Sequence, residues 1–282
     1  VVGEAEDPTR RSPLVDPGVQ LPAGTVLHRI GHLAIDRART PASALAHLGG
    51  TEVELDVQAP GRERERRTVR VLKSDRPVRY RDLVLARRAH VHERSLGRLG
   101  YIHVPNMGPT GFADFHRDYL VECERDGLVV DVRSNGGGHV SQLLLQKLAR
   151  RRVGRVVPRW GVPSSYPAHA VAGPLVAVTD AYAGSDGDIF SHLFKRMGLG
   201  PLVGTRTWGG TVGIVARHYL TDRSLVTQPE FANWFDDVGF GLENFGTEPD
   251  IDVPVPPEAD ARGADPQLDV AIDQALARLA TP

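Results

Sequence analysis

Three short apolar runs, residues 99–104, 127–132 and 174–179, constrain this chain more than anything else in it. None alternates polar with apolar along its length, so a strand built from any of them is buried on both faces. Something must cover each side. Segments with helical spacing follow the runs, at residues 111–120, 136–148 and 189–195. Strands alternating with helices predict an α/β layer architecture.

Two of the strand-to-helix junctions carry candidate chemistry. The first reads Arg133-Ser-Asn-Gly-Gly-Gly138, and consecutive glycines let backbone amides point into a cleft as an anion site. It can equally be an ordinary turn. Neither Gly-x-Gly-x-x-Gly nor Gly-x-x-x-x-Gly-Lys-Ser/Thr is present, so a nucleotide phosphate loop finds no support. The second junction reads Tyr182-Ala-Gly-Ser-Asp-Gly-Asp188 and places Ser185 on the turn that opens a helix. A turn exposes the hydroxyl, and amides at a helix start can stabilise a developing oxyanion. Helix capping is the competing reading, since serine and aspartate are favoured there.

A chain of 282 residues suggests two domains, at about 150 residues each. With 34 Lys+Arg against 35 Asp+Glu, the net charge of −1 argues against nucleic acid or an acidic membrane as the main partner. The single cysteine, Cys123, excludes an intrachain disulfide and a Cys-based zinc site, and its acidic neighbours read as a solvated helix end. It fits a reducing, cytoplasmic compartment. There is no initiator methionine, no signal pattern, and no apolar run near the roughly 18 residues that span a bilayer. We therefore expect a soluble piece of a longer protein.

Taken in order, residues 1–72 form a small β-rich unit with the order strand, strand, helix, strand, strand. The charged run at 61–67 reads as a solvated hairpin tip, because its signs alternate. Residues 73–98 are a connector and a charged helix, with Leu83, Leu85 and Val91 as candidate buried positions. His90 and His92 are two apart, which places them on different helix faces and excludes a metal pair. Residues 99–282 form the α/β core, and Asp265 with Pro266 should cap and start a terminal amphipathic helix.

Several motifs, in order, identify the chain by resemblance. They are Asp131-Val-Arg-Ser-Asn-Gly-Gly-Gly138, Ala183-Gly-Ser-Asp-Gly-Asp188, Gly204-Thr-Arg-Thr-Trp-Gly-Gly-Thr-Val-Gly213, Gln228-Pro-Glu-Phe231 and Glu243-Asn-Phe-Gly-Thr-Glu-Pro-Asp250. Together they resemble the tricorn-type serine peptidases of the tail-specific, C-terminal-processing superfamily. The resemblance implies a crotonase/ClpP-like α/β core preceded by a PDZ-like domain whose carboxylate-binding loop falls at or before Val1. It implies Ser185 as nucleophile, the amides of Gly138 and Asp186 as oxyanion hole, Glu243 as supporting acid, and Gly136 and Gly137 in substrate binding. No metal or cofactor is implied.

The general base is where the chain departs from its relatives. The resembled family uses a histidine in a Ser-His pair on a segment ahead of the PDZ domain, whereas the one Ser-His pair here, Ser191-His192, lies beyond Ser185 within the α/β core. Tail-specific relatives use a lysine where this chain has Gly210, so a Ser-Lys dyad is not available. His139 and His192 are the nearest local candidates. Val156 stands where a carboxylate would select basic side chains. We therefore expect a serine endopeptidase core acting on oligopeptides or unfolded polypeptide, inactive as an isolated chain and homo-oligomeric in its full-length form. A non-catalytic peptide-binding module with the PDZ-like domain is the alternative, and a crotonase-like acyl-thioester enzyme would not need Ser185.

Overall fold

Residues 2–4 and 6–280 are described by the structure, a computed structural model. The expected carboxylate-binding loop at or before Val1 lies outside them. The chain divides into two units between Ala86 and Arg87, inside helix α2 (Arg76–Arg94).

In the first unit, strands β1 (Val26–Ile30), β2 (Leu33–Ala34), β3 (Glu52–Gln58) and β4 (Arg64–Arg70) form an antiparallel sheet in the order β2-β1-β3-β4. The helix α1 (Pro41–Ala44) lies between β2 and β3, and Thr40 caps it by accepting the Ser43 amide. A small core of Ile30, Ala44, Leu55, Val57 and Val69 closes the unit. The element order is the one expected, but β4 begins at Arg64, so half of the charged run is strand rather than hairpin tip. Its alternating signs have a cross-strand purpose: Arg66 pairs with Glu54 at 3.2 Å, and Arg64 binds Asp56 across the ladder.

Within α2, Val84 and Val91 are buried, whereas Leu83 is exposed. The correction for Leu83 follows from the α2 face turned inward, on which Val84 and Val91 stand seven residues apart.

The second unit is built on a five-stranded parallel sheet, order β13-β10-β9-β6-β5. Its strands are β5 (Leu99–His103), β6 (Gly127–Asp131), β9 (Leu175–Thr179), β10 (Leu202–Gly204) and β13 (Ile251–Asp252). Every residue of β5, β6 and β9 is buried, as their unbroken apolar runs require. Ile102, Leu128, Val130, Leu175 and Ala177 face one side, where α3 (Pro109–Glu122), α4 (Ser141–Leu148) and α5 (Asp186–Arg196) contribute Phe115, Tyr119, Leu144, Leu148, Phe190 and Phe194. Each such side chain, fully buried, contributes about 1.5–3 kcal/mol. Helix α7 (Pro266–Leu279) packs on β6, β9 and β10 through a stripe that includes Leu268, Ala271, Ile272 and Ala275. Asp265 caps it by accepting the Leu268 amide at 3.1 Å.

Cys123 is fully buried rather than solvated, and burial pushes its thiol up to about 11. It completes an i, i+4 stripe with Phe115 and Tyr119 on α3. Two hairpins interrupt the strand–helix alternation: β7 (Gly154–Val156) with β8 (Ser164–Tyr166), and β11 (Gly213–Tyr219) with β12 (Leu225–Phe231). A short helix α6 (Pro257–Ala261) precedes α7. No helix among the described residues is long and apolar enough to cross a membrane.

Candidate functional site

The two glycine-bearing junctions lie at the ends of neighbouring strands β6 and β9, and backbone bonds stitch them together. Asp180 accepts the Ser134 amide at 2.8 Å and the Tyr182 amide at 3.0 Å. The Gly184 amide donates to the Asn135 carbonyl at 2.9 Å. Asn135 in turn shapes its own loop: its side-chain oxygen accepts the Gly137 amide at 2.8 Å and its Nδ2 donates to the Val104 carbonyl at 2.7 Å.

This stitching brings Ser185 against the glycine turn. A Cβ on Gly137 would fall 2.5 Å from Ser185 Cβ and 3.0 Å from its Oγ. Only glycine permits that approach, and φ +82 at Gly137 requires it independently. Gly138, at φ +150, packs against the Met107 carbonyl, 2.0 Å from where a Cβ would lie. Gly136, by contrast, is open to solvent with nothing near its missing side chain.

Ser185 occupies the N-cap position of α5, yet its side chain caps nothing. Its backbone, at φ 55 and ψ −120, lies in the region disfavoured for residues with a Cβ. Such a conformation costs on the order of 1–3 kcal/mol and persists only where the surroundings enforce it. Here the enforcement comes from the bonds at Gly184 and from Ala183, whose carbonyl accepts the Trp208 amide at 2.9 Å. We expect Ser185→Gly to be more stable than Ser185→Ala by about 1 kcal/mol in urea unfolding, because glycine relieves the strain. Equal stabilities would mean that the turn is unstrained.

Neither the Gly138 nor the Asp186 amide donates to another group among the described residues. The Asp186 side chain is buried and accepts from both the amide (3.0 Å) and the hydroxyl of Ser141, tying the start of α5 to the start of α4. A negative charge between two helix N-termini is well placed. Two undonating amides beside an uncapped hydroxyl form an arrangement able to receive a developing oxyanion.

A third loop, residues 205–212, closes the site. Asp188 is buried on the first turn of α5, where its carboxylate accepts from the Thr207 hydroxyl and from the Gly209 amide at 2.8 Å. Burial raises its pKa, and these bonds, with the Gly210 and Ser185 amides, offset only part of that rise. Further along the loop, Glu243 Oε2 accepts the Thr211 amide at 2.6 Å, the Thr211 hydroxyl at 3.1 Å and the Val212 amide at 2.7 Å. The loop thus links the helix of Ser185 to Glu243, and Asp188 is the residue in this linkage that the sequence reading missed. Its position, three residues beyond an N-cap serine, was the available signal.

Below the glycine turn lies a buried ionic group. Asp131 accepts from Arg133 Nη2 at 2.7 Å and from the Tyr101 hydroxyl at 2.9 Å. Arg133 continues to Asp265 at 2.6 Å, and His103 bonds the Arg133 carbonyl at 3.1 Å. Burial by itself would raise the Asp131 carboxyl. The Arg133 guanidinium, with His103 and Arg87, outweighs it and holds the group well below the usual carboxylate range.

Neither of the two local histidines hydrogen-bonds Ser185. His192 turns to Asp237 at 3.2 Å, in a pocket of about 360 Å³ that Ser185 does not line. His139 is exposed. Ser185 Oγ has no hydrogen-bond partner among the described residues. The single group of three potential metal ligands among the described residues is Cys123, Glu124 and His169. Both Glu124 oxygens are already engaged, by Ser165 at 2.7 Å and Arg152 at 2.9 Å, and the thiol is held protonated.

Comparison with known proteins gives a consistent result. The family model described as Peptidase family S41 matches residues 98–253, and that described as the Tricorn protease PDZ domain matches residues 1–74. Tricorn protease homolog 1 of Streptomyces coelicolor is 50% identical over 277 residues, covering 98% of this chain and 26% of that protein. Tricorn protease of Thermoplasma acidophilum is 43% identical over the same length, covering 98% of this chain and 26% of that protein. The crystal structure of the tricorn protease superposes with a TM-score of 0.95 at 43% identity, covering 99% of this chain and 27% of that one. The chain spans about a quarter of the length of these relatives.

Proposed function

The chain belongs to peptidase family S41, and from that premise we propose that it forms the PDZ-like and catalytic core of a tricorn-like serine endopeptidase. Residues 1–72 are the PDZ-like unit, 73–98 the connector and 99–282 the catalytic core. Its substrates are oligopeptides or unfolded polypeptide. The observation that carries this reading is the packing of Ser185 against Gly137, with the Gly138 and Asp186 amides undonating beside it.

In this mechanism Ser185 Oγ attacks the scissile carbonyl, forming a C–O bond as the hydroxyl proton passes to a base. The carbonyl oxygen takes up negative charge and is held by the Gly138 and Asp186 amides. Collapse expels the amine, which takes the proton, and water then hydrolyses the acyl-enzyme by the same steps. Glu243, with Oε2 satisfied by the 211–212 amides, offers Oε1 to orient the base. Gly136 and Gly137 keep the cleft floor free of side chains for the substrate backbone.

This reading takes the base to be a histidine of a segment ahead of the PDZ-like unit, as the tricorn-type resemblance implies, and the lack of a hydrogen-bond partner for Ser185 Oγ among the described residues supports it. One specific observation favours a second reading, a peptide-binding module without chemistry: that same lack of a partner for Ser185. Hydrolysis of a fluorogenic peptide library decides between them, using the protein with its preceding segment beside its Ser185→Ala variant. We expect activity in the first and a loss of at least about 1000-fold in the second. Equal rates in the two would reject Ser185 as nucleophile, and no hydrolysis in either would favour the binding module.

A further inference from the structure

Trp208 is set apart from the chain's other exposed aromatic residues by its place beside Ser185. The residue is 69% exposed, although its backbone and both neighbours are hydrogen-bonded. The Trp208 amide donates to the Ala183 carbonyl at 2.9 Å, and the residues on either side of it, Thr207 and Gly209, both bond the Asp188 carboxylate. The indole lies over two glycines. A Cβ on Gly184 would come within 2.7 Å of it, and one on Gly210 within 2.4 Å. One of these glycines immediately precedes Ser185, and the other immediately precedes Thr211, which holds Glu243.

Packed over the glycines that flank Ser185 and Thr211, the indole presents a large apolar face to solvent beside the nucleophile candidate. A rigid, exposed indole loses little entropy when a ligand covers it, which is why tryptophan recurs at recognition sites. A peptide whose carbonyl sits at Ser185 must pass this ring within a residue or two of the scissile bond. We infer that Trp208 is a specificity-determining residue, forming an apolar subsite for an aromatic or large aliphatic side chain of the peptide next to the bond that is cut. This rests on the peptidase reading above. Tyr182, three residues before Ser185, is also exposed.

The test separates binding from chemistry. Fluorescein-labelled peptides differing at one position (Phe, Leu, Ala or Arg) are titrated by anisotropy into the chain carrying Ser185→Ala, with and without Trp208→Ala or Trp208→Phe. We expect Phe and Leu peptides to bind about 10-fold more tightly than the Ala peptide, the difference to vanish with Trp208→Ala, and Trp208→Phe to restore part of it. In the active protein the same substitution should raise KM for the Phe substrate more than it lowers kcat. An unchanged Phe-over-Ala preference overturns the inference, as does an equal loss for every peptide, which marks a merely structural role. A preference for the Arg peptide that depends on Trp208 also overturns it, in favour of a cation–π site. Absence of any peptide binding overturns it too. Trp208-dependent binding in a protein that never hydrolyses peptides would uphold the subsite and reject the catalytic reading.

Discussion

Gly137→Ala is expected to lower kcat/KM for peptide hydrolysis by at least about 100-fold, the size of effect seen when an oxyanion donor is displaced. The argument is steric. The new methyl would sit 2.5 Å from Ser185 Cβ, so either the serine or the turn must move. Backbone strain adds to the clash, because φ +82 suits glycine and not alanine. Movement of the turn carries Gly138 with it and displaces one of the two amides proposed to hold the oxyanion. The adjacent Gly136→Ala is the control, since nothing lies within 4 Å of the added methyl. We expect it to keep activity within about 10-fold, with any loss appearing in KM. Steady-state kinetics on the pair provide the check. Comparable losses in both variants would show that glycine content, not the contact with Ser185, is what matters.

Arg133→Ala should strongly destabilise the second unit while leaving every catalytic candidate in place. It removes the principal counter-charge of the fully buried Asp131 and the link from β6 to the cap of α7 at Asp265. Breaking a buried pair from one side typically costs about 3–5 kcal/mol, because the surviving charge is left unpaired. Urea unfolding at pH 7 would measure it, and a loss under about 1 kcal/mol would mean that Arg87 and Tyr101 suffice. The pH dependence has a defined sign. Because the folded Asp131 pKa is depressed below its unfolded value near 3.9, its contribution is complete above the ordinary carboxylate range and fades as pH falls below about 4. In Arg133→Ala the carboxyl loses the charge that held it down. The gap between parent and variant should therefore narrow on acidification.

The parts legible in the sequence were those set by local pattern. Runs such as Leu175–Thr179, apolar on both faces, could only be buried strands, and Asp265 followed by Pro266 could only begin a helix. Ser185 was placed by the same logic, as the residue between such a strand and a helix. What was not legible depends on contacts far apart in sequence or on surfaces without alternation. The acidic neighbours of Cys123 masked its i, i+4 relation to Tyr119. The hairpin of β11 and β12 is exposed on both faces, so no period-2 signal marks it. The tie between Arg133 and Asp265 spans 132 residues, and the positive φ of Ser185 arises from neighbours that only the folded chain assembles.

The most direct test of the central claim is to treat the full-length protein with a fluorophosphonate and locate the adduct by peptide mass spectrometry. Phosphonylation requires a serine hydroxyl activated by a base and an oxyanion site for the phosphoryl oxygen, the same two features that peptide cleavage needs. The account predicts a single adduct on Ser185, lost in Gly137→Ala and retained in Gly136→Ala. Peptide hydrolysis without modification of Ser185, or an adduct on a different serine, would contradict it.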